Sequence, residues 1–533
     1  MTMTMASGKG GWRRREVLQK AGVLTAASMA PVAVGCGSDD EGPTPLPPEP
    51  EVFLHGVASG DPLVDAVILW TRVTSPDGAP VQVGWAVATD PSMSDVVAQG
   101  SFDTNADRDY TVKVDVTGLS AGTTYYYQFE ALAESSRVAR TRTAPSGDVG
   151  RLRFAVCSCS SWAHGYFNAY RHIARRNDLD LVIHLGDYIY EYADDEYGDP
   201  FLEEPRLYDP PHEIVTLEDY RRRYALYRTD PDLQEVHRQH PFVTVWDDHE
   251  TANNSWPGGA ENHDASEGDW EQRKAEAIQA YFEWMPIREE AELKVWRAFR
   301  YGGLVDLLML DTRLWGRDEP YGDIGEEPPM DPDRQILGAD QEAWLVGELE
   351  GSTATWKIIG QQVMFGQLGL VTNPDQWDGY PEARERFFDV VETSAIDNVV
   401  VLTGDIHSSW GMDLARDPFD PAYDPTTGAG SLGVEFVTPG ITSPGFPDAL
   451  ASIAEGVKGD NPHMKLVELV KRGYVILDID AQRVQAAWYH VETIATRVDG
   501  ESLHGVVASY AGDNFLVVES DPAAAPEGPV PAP

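Results

Sequence analysis

Four apolar runs in the later part of the chain stop abruptly at acidic residues: Leu179 to Asp187, Phe242 to Glu250, Leu304 to Asp311 and Val399 to His407. Continuous runs of this kind suit strands covered on both faces by other layers. Helical spacing intervenes around Phe167 to Arg176 and Leu217 to Tyr227, so residues 147–518 predict a layered α/β domain, sheets flanked by helices. Upstream the period changes to two. Val112, Val114 and Val116 alternate with Lys113 and Asp115, and Tyr125, Tyr127 and Phe129 repeat the pattern after the turn Leu119-Ser120-Ala121-Gly122. With further runs at Ala66 to Val73 and Val81 to Ala88, residues 51–146 predict a small all-β sandwich, fibronectin III-like, whose lack of clustered catalytic residue types marks it as a packing module. Residues 37–50 (Ser, Asp, Gly, Pro, Glu) and 519–533 (Pro, Ala) predict a disordered linker and a disordered tail.

Composition narrows the function. The chain has 533 residues, enough for two or three domains, and its 42% hydrophobic content excludes a disordered or fibrous protein. Acidic residues outnumber basic ones 87 to 41, a formal charge of -46 that argues against a nucleic-acid partner or an anionic membrane surface. That charge suits the collection of cations, and it equally suits an acidic surface kept for solubility. Three cysteines, Cys36, Cys157 and Cys159, are too few for a disulfide framework. The most apolar terminal stretch, Ala21 to Val34, is too short to span a membrane and contains Pro31. It follows Arg13, Arg14 and Arg15, and residues 1–36 resemble a twin-arginine signal, the route of proteins exported already folded. Ala33-Val34-Gly35-Cys36 is a loose lipobox, so lipidation at Cys36 and ordinary signal-peptidase cleavage both stand. The expected partner is the twin-arginine export machinery and the expected location periplasmic, cell-surface or extracellular, with membrane contact only through a lipid on Cys36.

In layered α/β folds ligands gather where strand carboxyl ends open into loops. Asp187, Asp248 and Asp405 stand at such ends. Brought within a few ångströms of each other, they would repel unless protonated or bound to cations. Carboxylate and amide oxygens suit hard ions; imidazole, thiolate and phenolate suit a transition metal. Each Gly-Asp alone is an ordinary turn. The conjunction of Gly186-Asp187, Asp248-His249-Glu250 and Gly404-Asp405-Ile406-His407 carries more weight.

These motifs resemble those of the PhoD-like alkaline phosphatases, a metallophosphoesterase family. The resemblance runs from about Phe53 nearly to the tail and includes His55 to Pro62, Leu69 to Arg72, His184 to Tyr192, Trp246 to Glu250 with Asn253-Asn254, Trp377 to Tyr380, Gly404 to His407 and Asn461 to His463. It implies a layered metallophosphatase β-sandwich flanked by helices, and a mixed centre of ferric iron and calcium. Carried onto matching positions, Cys159 and Tyr190 bind iron, and Asp187 is shared between iron and calcium. Asp248, Asn254, Asp405 and His407 complete the metal ligands, with Asp247 and Asn253 as rivals of their neighbours. Cys157 reads as an additional buried cysteine, with a thiolate ligand as its alternative. His249, together with Asp187, is expected to be catalytic, touching phosphate or assisting the leaving group. Trp377, Asp378 and Tyr380 are expected at the substrate wall, and His463 is a ligand or a structural histidine.

The resemblance implies a phosphatase or phosphodiesterase acting on phosphate esters, small or lipid. A phospholipase D-like or other diester-specific hydrolase is the alternative, and an inactive surface-binding lipoprotein is the alternative from another class. No Gly-x-Ser-x-Gly elbow supports a serine nucleophile. An arginine should stabilise the phosphoryl charge, and Arg222, Arg223, Arg228, Arg313 and Arg317 are all available.

Overall fold

The computed structural model describes residues 49–194, 196–199, 202–289, 292–369 and 372–533. The signal segment 1–36, with Arg13 to Arg15 and Cys36, lies outside the described residues, as does most of the linker 37–50. Among the described residues no helix is long and apolar enough to cross a membrane.

All four apolar runs become strands: Leu181–His184, Pro241–Thr244, Val305–Met309 and Val399–Thr403. The first two lie side by side and parallel inside a ten-stranded sheet. The other two are separated only by Trp356–Gly360, all three parallel, inside a seven-stranded sheet. One core lies between the sheets, and the side chains sort by the two-residue period of a strand. Leu307, Met309, Ile358, Val400 and Leu402 point into that shared core, against Phe154, Leu181 and Ile183 of the other sheet. Leu308, Ile359, Val399 and Val401 point outward, under the helices Ala339–Gly351 and Pro381–Thr393. Helices Asn168–Ala174, Leu217–Tyr227, Pro231–Gln239 and Trp270–Trp284 add Tyr170, Tyr224, Val236 and Trp284 to the core of the larger sheet. Because both sheets are covered on two faces, alternation of polar residues is absent from these strands.

Leu217–Tyr227 starts where a capping box forms between Thr216 and Asp219, each side chain bonding the other's backbone N–H. Its Tyr220 and Arg273 from Trp270–Trp284 meet at 3.1 Å, which ties this pair of helices over the loops that build the site.

The first 100 described residues differ from a free-standing sandwich. Val112 and Val116 are buried against Tyr127 and Phe129 as the alternation requires. However, Val57–Gly60, Ala66–Arg72 and Thr111–Thr117 are the last three strands of the ten-stranded sheet. Val57–Gly60 pairs in parallel with Pro241–Thr244, Ser59 opposite Pro241. Only Val81–Ala88, Val96–Thr104, Thr124–Ala131, Glu134–Ser135 and Ala139–Arg142 form a separate, five-stranded layer. The all-β module therefore shares a sheet with the α/β region. Period alone does not reveal this, because it reports which face is buried and not which strand lies alongside.

The expected disorder of residues 519–533 is corrected. Leu516–Glu519 is the edge strand of the large sheet, and the chain after it is pinned by side chains that donate to its carbonyls. Arg153 bonds the Ala523 carbonyl, Arg140 that of Pro529, Tyr126 that of Val530 and Arg238 that of Pro533. Gln239 exchanges two bonds with the Ala532 backbone. Composition hid this, since the tail needs no apolar core of its own when the body supplies the donors.

Candidate metal centre

Loops leaving the carboxyl ends of strands in both sheets meet at one place. Five residues of these loops hold left-handed backbone conformations: Cys159 (φ 61°), Asp187 (57°), Asn254 (50°), Asp405 (58°) and His407 (56°). Each such non-glycine residue costs on the order of 1–3 kcal/mol and persists only where its surroundings hold it. Glu250 supplies much of that hold. Its carboxylate accepts the backbone N–H groups of Asp187 at 3.0 Å, Asp247 at 2.8 Å, and Tyr188, so it locks the two loops to each other. Gly186 must be glycine: its φ is +103°, and a Cβ there would lie 2.4 Å from the backbone nitrogen of Asp247.

The side chains form three overlapping groups. Ligand atoms of Cys159, Asp187 and His407 lie within 4.8 Å of one another, as do those of Asp187, Asp248 and His249, and those of Asp247, Asp248 and Asp405. Tyr190 joins the first group: its hydroxyl is 2.9 Å from Asp187 Oδ2 and 3.2 Å from His407 Nε2. Ser443 donates to that hydroxyl at 2.6 Å, and the Pro444 carbonyl lies 2.9 Å from His407 Nδ1, which directs Nε2 inward. One end of the site thus offers sulfur, phenol oxygen and imidazole nitrogen, a transition-metal set; the other offers carboxylates, a hard-cation set. Asp187 belongs to both.

Unsatisfied oxygens mark where cations fit. Buried Asp187 Oδ1, Asp247 Oδ2, Asp248 Oδ1 and Asn254 Oδ1 have no hydrogen-bond partner. Unpaired buried acceptors are costly unless an ion or water meets them. Asn254 is separated from its rival by this test, because the Asn253 amide oxygen accepts the Tyr192 hydroxyl at 3.1 Å. Asp248 and Asp247 both remain in reach, and Asp248 takes part in two of the groups. The residues fit a pair of bound cations.

Arg313 is the only one of the five arginines placed against these carboxylates. It is fully buried and reaches Asp247 at 2.5 Å, Asp375 at 2.8 Å, Asp405 at 3.0 Å and Asp248 at 3.6 Å. Enclosed by acids and without exposed surface, it offsets their charge. Arg317 holds Asp375 at 2.6 Å. Arg223 donates to the Tyr190 and Pro210 carbonyls, bracing the loop. Arg228 lies under Trp70, 4.4 Å from its ring, and Arg222 pairs with Asp209 at the surface.

Other expected site residues fall elsewhere. Trp377 and Tyr380 belong to the core under the helices, and Asp378 pairs with Arg384 at 2.7 Å. Their expected place at the substrate wall is corrected: they stand behind the site, where Tyr380 meets Arg317 at 3.0 Å and helps fix the segment bearing Asp375. His463 lies outside the three ligand groups, with Nε2 at 2.9 Å from the Gln367 carbonyl. Cys157 ends its strand buried on the helix-covered face of the larger sheet, while Cys159 turns into the site two residues later. Asp375, Ser443, Glu191 and Glu250 were not singled out by sequence. Glu191 and Glu250 sit inside the motifs and could have been suspected, whereas Asp375 and Ser443 carry no local signal.

Burial, followed by mutual repulsion of the acids, raises the carboxyl groups of Asp187 and Asp247 well above the usual range. Burial also raises the Cys159 thiol and the Tyr190 phenol, with Asp187 adding to both. A bound cation reverses this, since its charge favours the deprotonated ligand. Burial pushes Glu250 up to about 7. Burial opposes protonation of His249, but Asp248 and Glu191 prevail and raise it.

These directions set the stability of chelator-treated protein. A carboxyl raised on folding is protonated in the native state where the unfolded chain is already ionised, so stability falls as pH rises from about 4 through about 7. His249, also raised, contributes stability that is complete below about 6.5 and lost as pH rises through its folded value. The two act together. In chelator, the stability gained by Asp187→Asn over wild type is therefore expected to be larger near pH 8 than near pH 6, a comparison in which the buried neutral histidines elsewhere cancel. A gain that shrinks over that interval would contradict the arrangement.

The chain is similar to known proteins over most of its length. A family model described as PhoD-like phosphatase matches residues 154–488, and one described as PhoD-like phosphatase, N-terminal domain, matches residues 41–145. Alkaline phosphatase D of Bacillus subtilis (strain 168) is 38% identical over 489 residues, which cover 87% of this chain and 81% of that protein. A solved structure of PhoD is similar with a TM-score of 0.80 and 34% identity, covering 89% of this chain and 93% of the other. With two sheets whose strand ends converge on the motif residues, and matches over most of its length, the chain belongs to the PhoD-like phosphatase family.

Proposed function

We propose that this phosphoric-ester hydrolase works with a ferric ion held by Cys159, Asp187, Tyr190 and His407, and calcium held by Asp187, Asp248, Asn254 and Asp405. The observation that carries the reading is the pair of chemically different donor sets sharing Asp187, with unsatisfied buried oxygens between them. When bound, the cations supply Lewis-acid polarisation of the phosphoryl group and acidify water for attack.

The chain's own residues then do three things. The loops rigidified by Glu250 hold the ligands in place before substrate arrives, so little reorganisation accompanies reaction. Arg313 tempers the carboxylate charge so that an anionic ester is not repelled. His249, adjacent in space to Asp187 and Asp248, holds a proton beside the reacting ester. Iron and calcium fit an acidic enzyme filled before export, and we propose that residues 1–36 direct the folded chain through the twin-arginine route.

Protein purified without added ions is expected to contain iron and calcium and to hydrolyse at least one of a phosphomonoester, a phosphodiester and a phospholipid. Zinc alone in elemental analysis would defeat the ligand assignment, and hydrolysis of none of the three by metal-loaded protein would defeat the function.

A further inference from the structure

Glu191 follows Tyr190 in the loop after Leu181–His184 and has no solvent exposure. It lies outside the three ligand groups. Its oxygens instead face the neighbouring loop: Oε2 lies 2.7 Å from His249 Nδ1, while Oε1 accepts the Asn253 backbone N–H at 2.8 Å and the Asn262 side-chain amide at 3.2 Å. The His249 ring is also stacked on Tyr190, with centroids 4.2 Å apart and planes 30° apart. Stacking fixes the plane of the imidazole, and the carboxylate fixes its rotation within that plane. One nitrogen, Nε2, is then left for the substrate, and the ring carries a proton on Nδ1 as long as Glu191 accepts it.

We propose that Glu191 is a positioning residue for His249, turning Nε2 toward the departing ester oxygen and coupling the metal-bearing loop to the histidine loop. This rests on the hydrolase reading above. In the step served, a water oxygen bonds to phosphorus and the ester P–O bond breaks with its electron pair on the leaving oxygen. That oxygen takes the proton from His249 Nε2. The proton released by the attacking water passes to solvent, from which His249 is reprotonated. Glu191 itself touches neither substrate nor the reacting atoms.

A structural role and a positioning role separate by leaving group. A nitrophenyl ester departs as a stable anion that needs no proton, whereas an alkyl ester departs as an alkoxide that does. In metal-loaded Glu191→Gln the loss of kcat on the alkyl ester should exceed the loss on the nitrophenyl ester by about 10-fold, within the roughly 10–100-fold range for partners that orient active groups. His249→Ala should show the same discrimination, larger. In the double variant the Gln substitution should add little, because the group it orients is gone.

Equal losses on both esters, or full additivity with His249→Ala, would overturn the proposal even though the enzyme remained a hydrolase. If wild type hydrolysed neither ester, the functional reading would have failed first. Should Glu191→Gln not fold, Glu191→Asp is read by the same ratio: it keeps the charge but sets the carboxylate one methylene short of His249. An unchanged ratio in that variant overturns the proposal as well.

Discussion

Asp187→Asn is expected to lower kcat/KM by about 10³-fold or more, near 4 kcal/mol of transition-state stabilisation. The side chain is shared by the sulfur-and-imidazole group and the carboxylate group, so one substitution weakens both at once. Residues that only orient a ligand typically cost about 10–100-fold, and a shared ligand should exceed that. Asparagine keeps the shape of the side chain, and removes one carboxylate from a set that includes Asp248 and Asp405. Metal-free Asp187→Asn should consequently unfold at a higher temperature than metal-free wild type, while binding less iron and calcium. That opposite movement of stability and metal content distinguishes a ligand from a packing residue. Wild-type metal content with wild-type rate would remove Asp187 from the centre.

Arg313→Met should be the most destabilising substitution at the site, by about 3–5 kcal/mol, the cost typical of stripping one partner from a buried charge cluster. Methionine keeps the apolar stem and ends where the guanidinium begins, without its charge or its donors. Asp247 and Asp405 would then each lose the guanidinium that meets them, while Asp375 would keep Arg317 at 2.6 Å. Arg313→Lys should rescue little, because the three acids are met by three different nitrogens of one planar fork, Nε, Nη1 and Nη2. Denaturant unfolding of both variants at fixed metal concentration provides the check. The deficit should narrow as pH falls and the acids take up protons. A loss below about 1 kcal/mol would mean that bound cations, and not Arg313, balance the cluster.

The contribution of local pattern and of folding can be separated residue by residue. Asp187, Asp248, Asp405 and their neighbours were legible because a strand end followed by an acid is a local motif, and four such motifs in order are hard to produce by accident. The histidine in Asp248-His249-Glu250 was legible for the same reason, but its partner was not: Glu191 lies 58 residues away along the chain and meets it only across two loops. Trp377, Asp378 and Tyr380 were misplaced because a motif records that residues are kept together, not which side of a loop faces the substrate. The rings of Trp377 and Tyr380 point into the core, Asp378 pairs with Arg384, and Asp375, two residues before Trp377, is the one that reaches Arg313.

Strand positions, the helices at Leu217–Tyr227 and nearby, the acidic strand ends and the family resemblance were all determined by the amino-acid sequence, since periodicity, capping and motif spacing act over a few residues. Which strands share a sheet, the docking of the Pro/Ala tail, the choice of Asn254 over Asn253 and the enclosure of Arg313 by four carboxylates were decided only by the tertiary structure. The physical reason is common to all four. Each depends on a pairing between groups far apart in the chain, whose energy exists only once the intervening segments have been folded into contact.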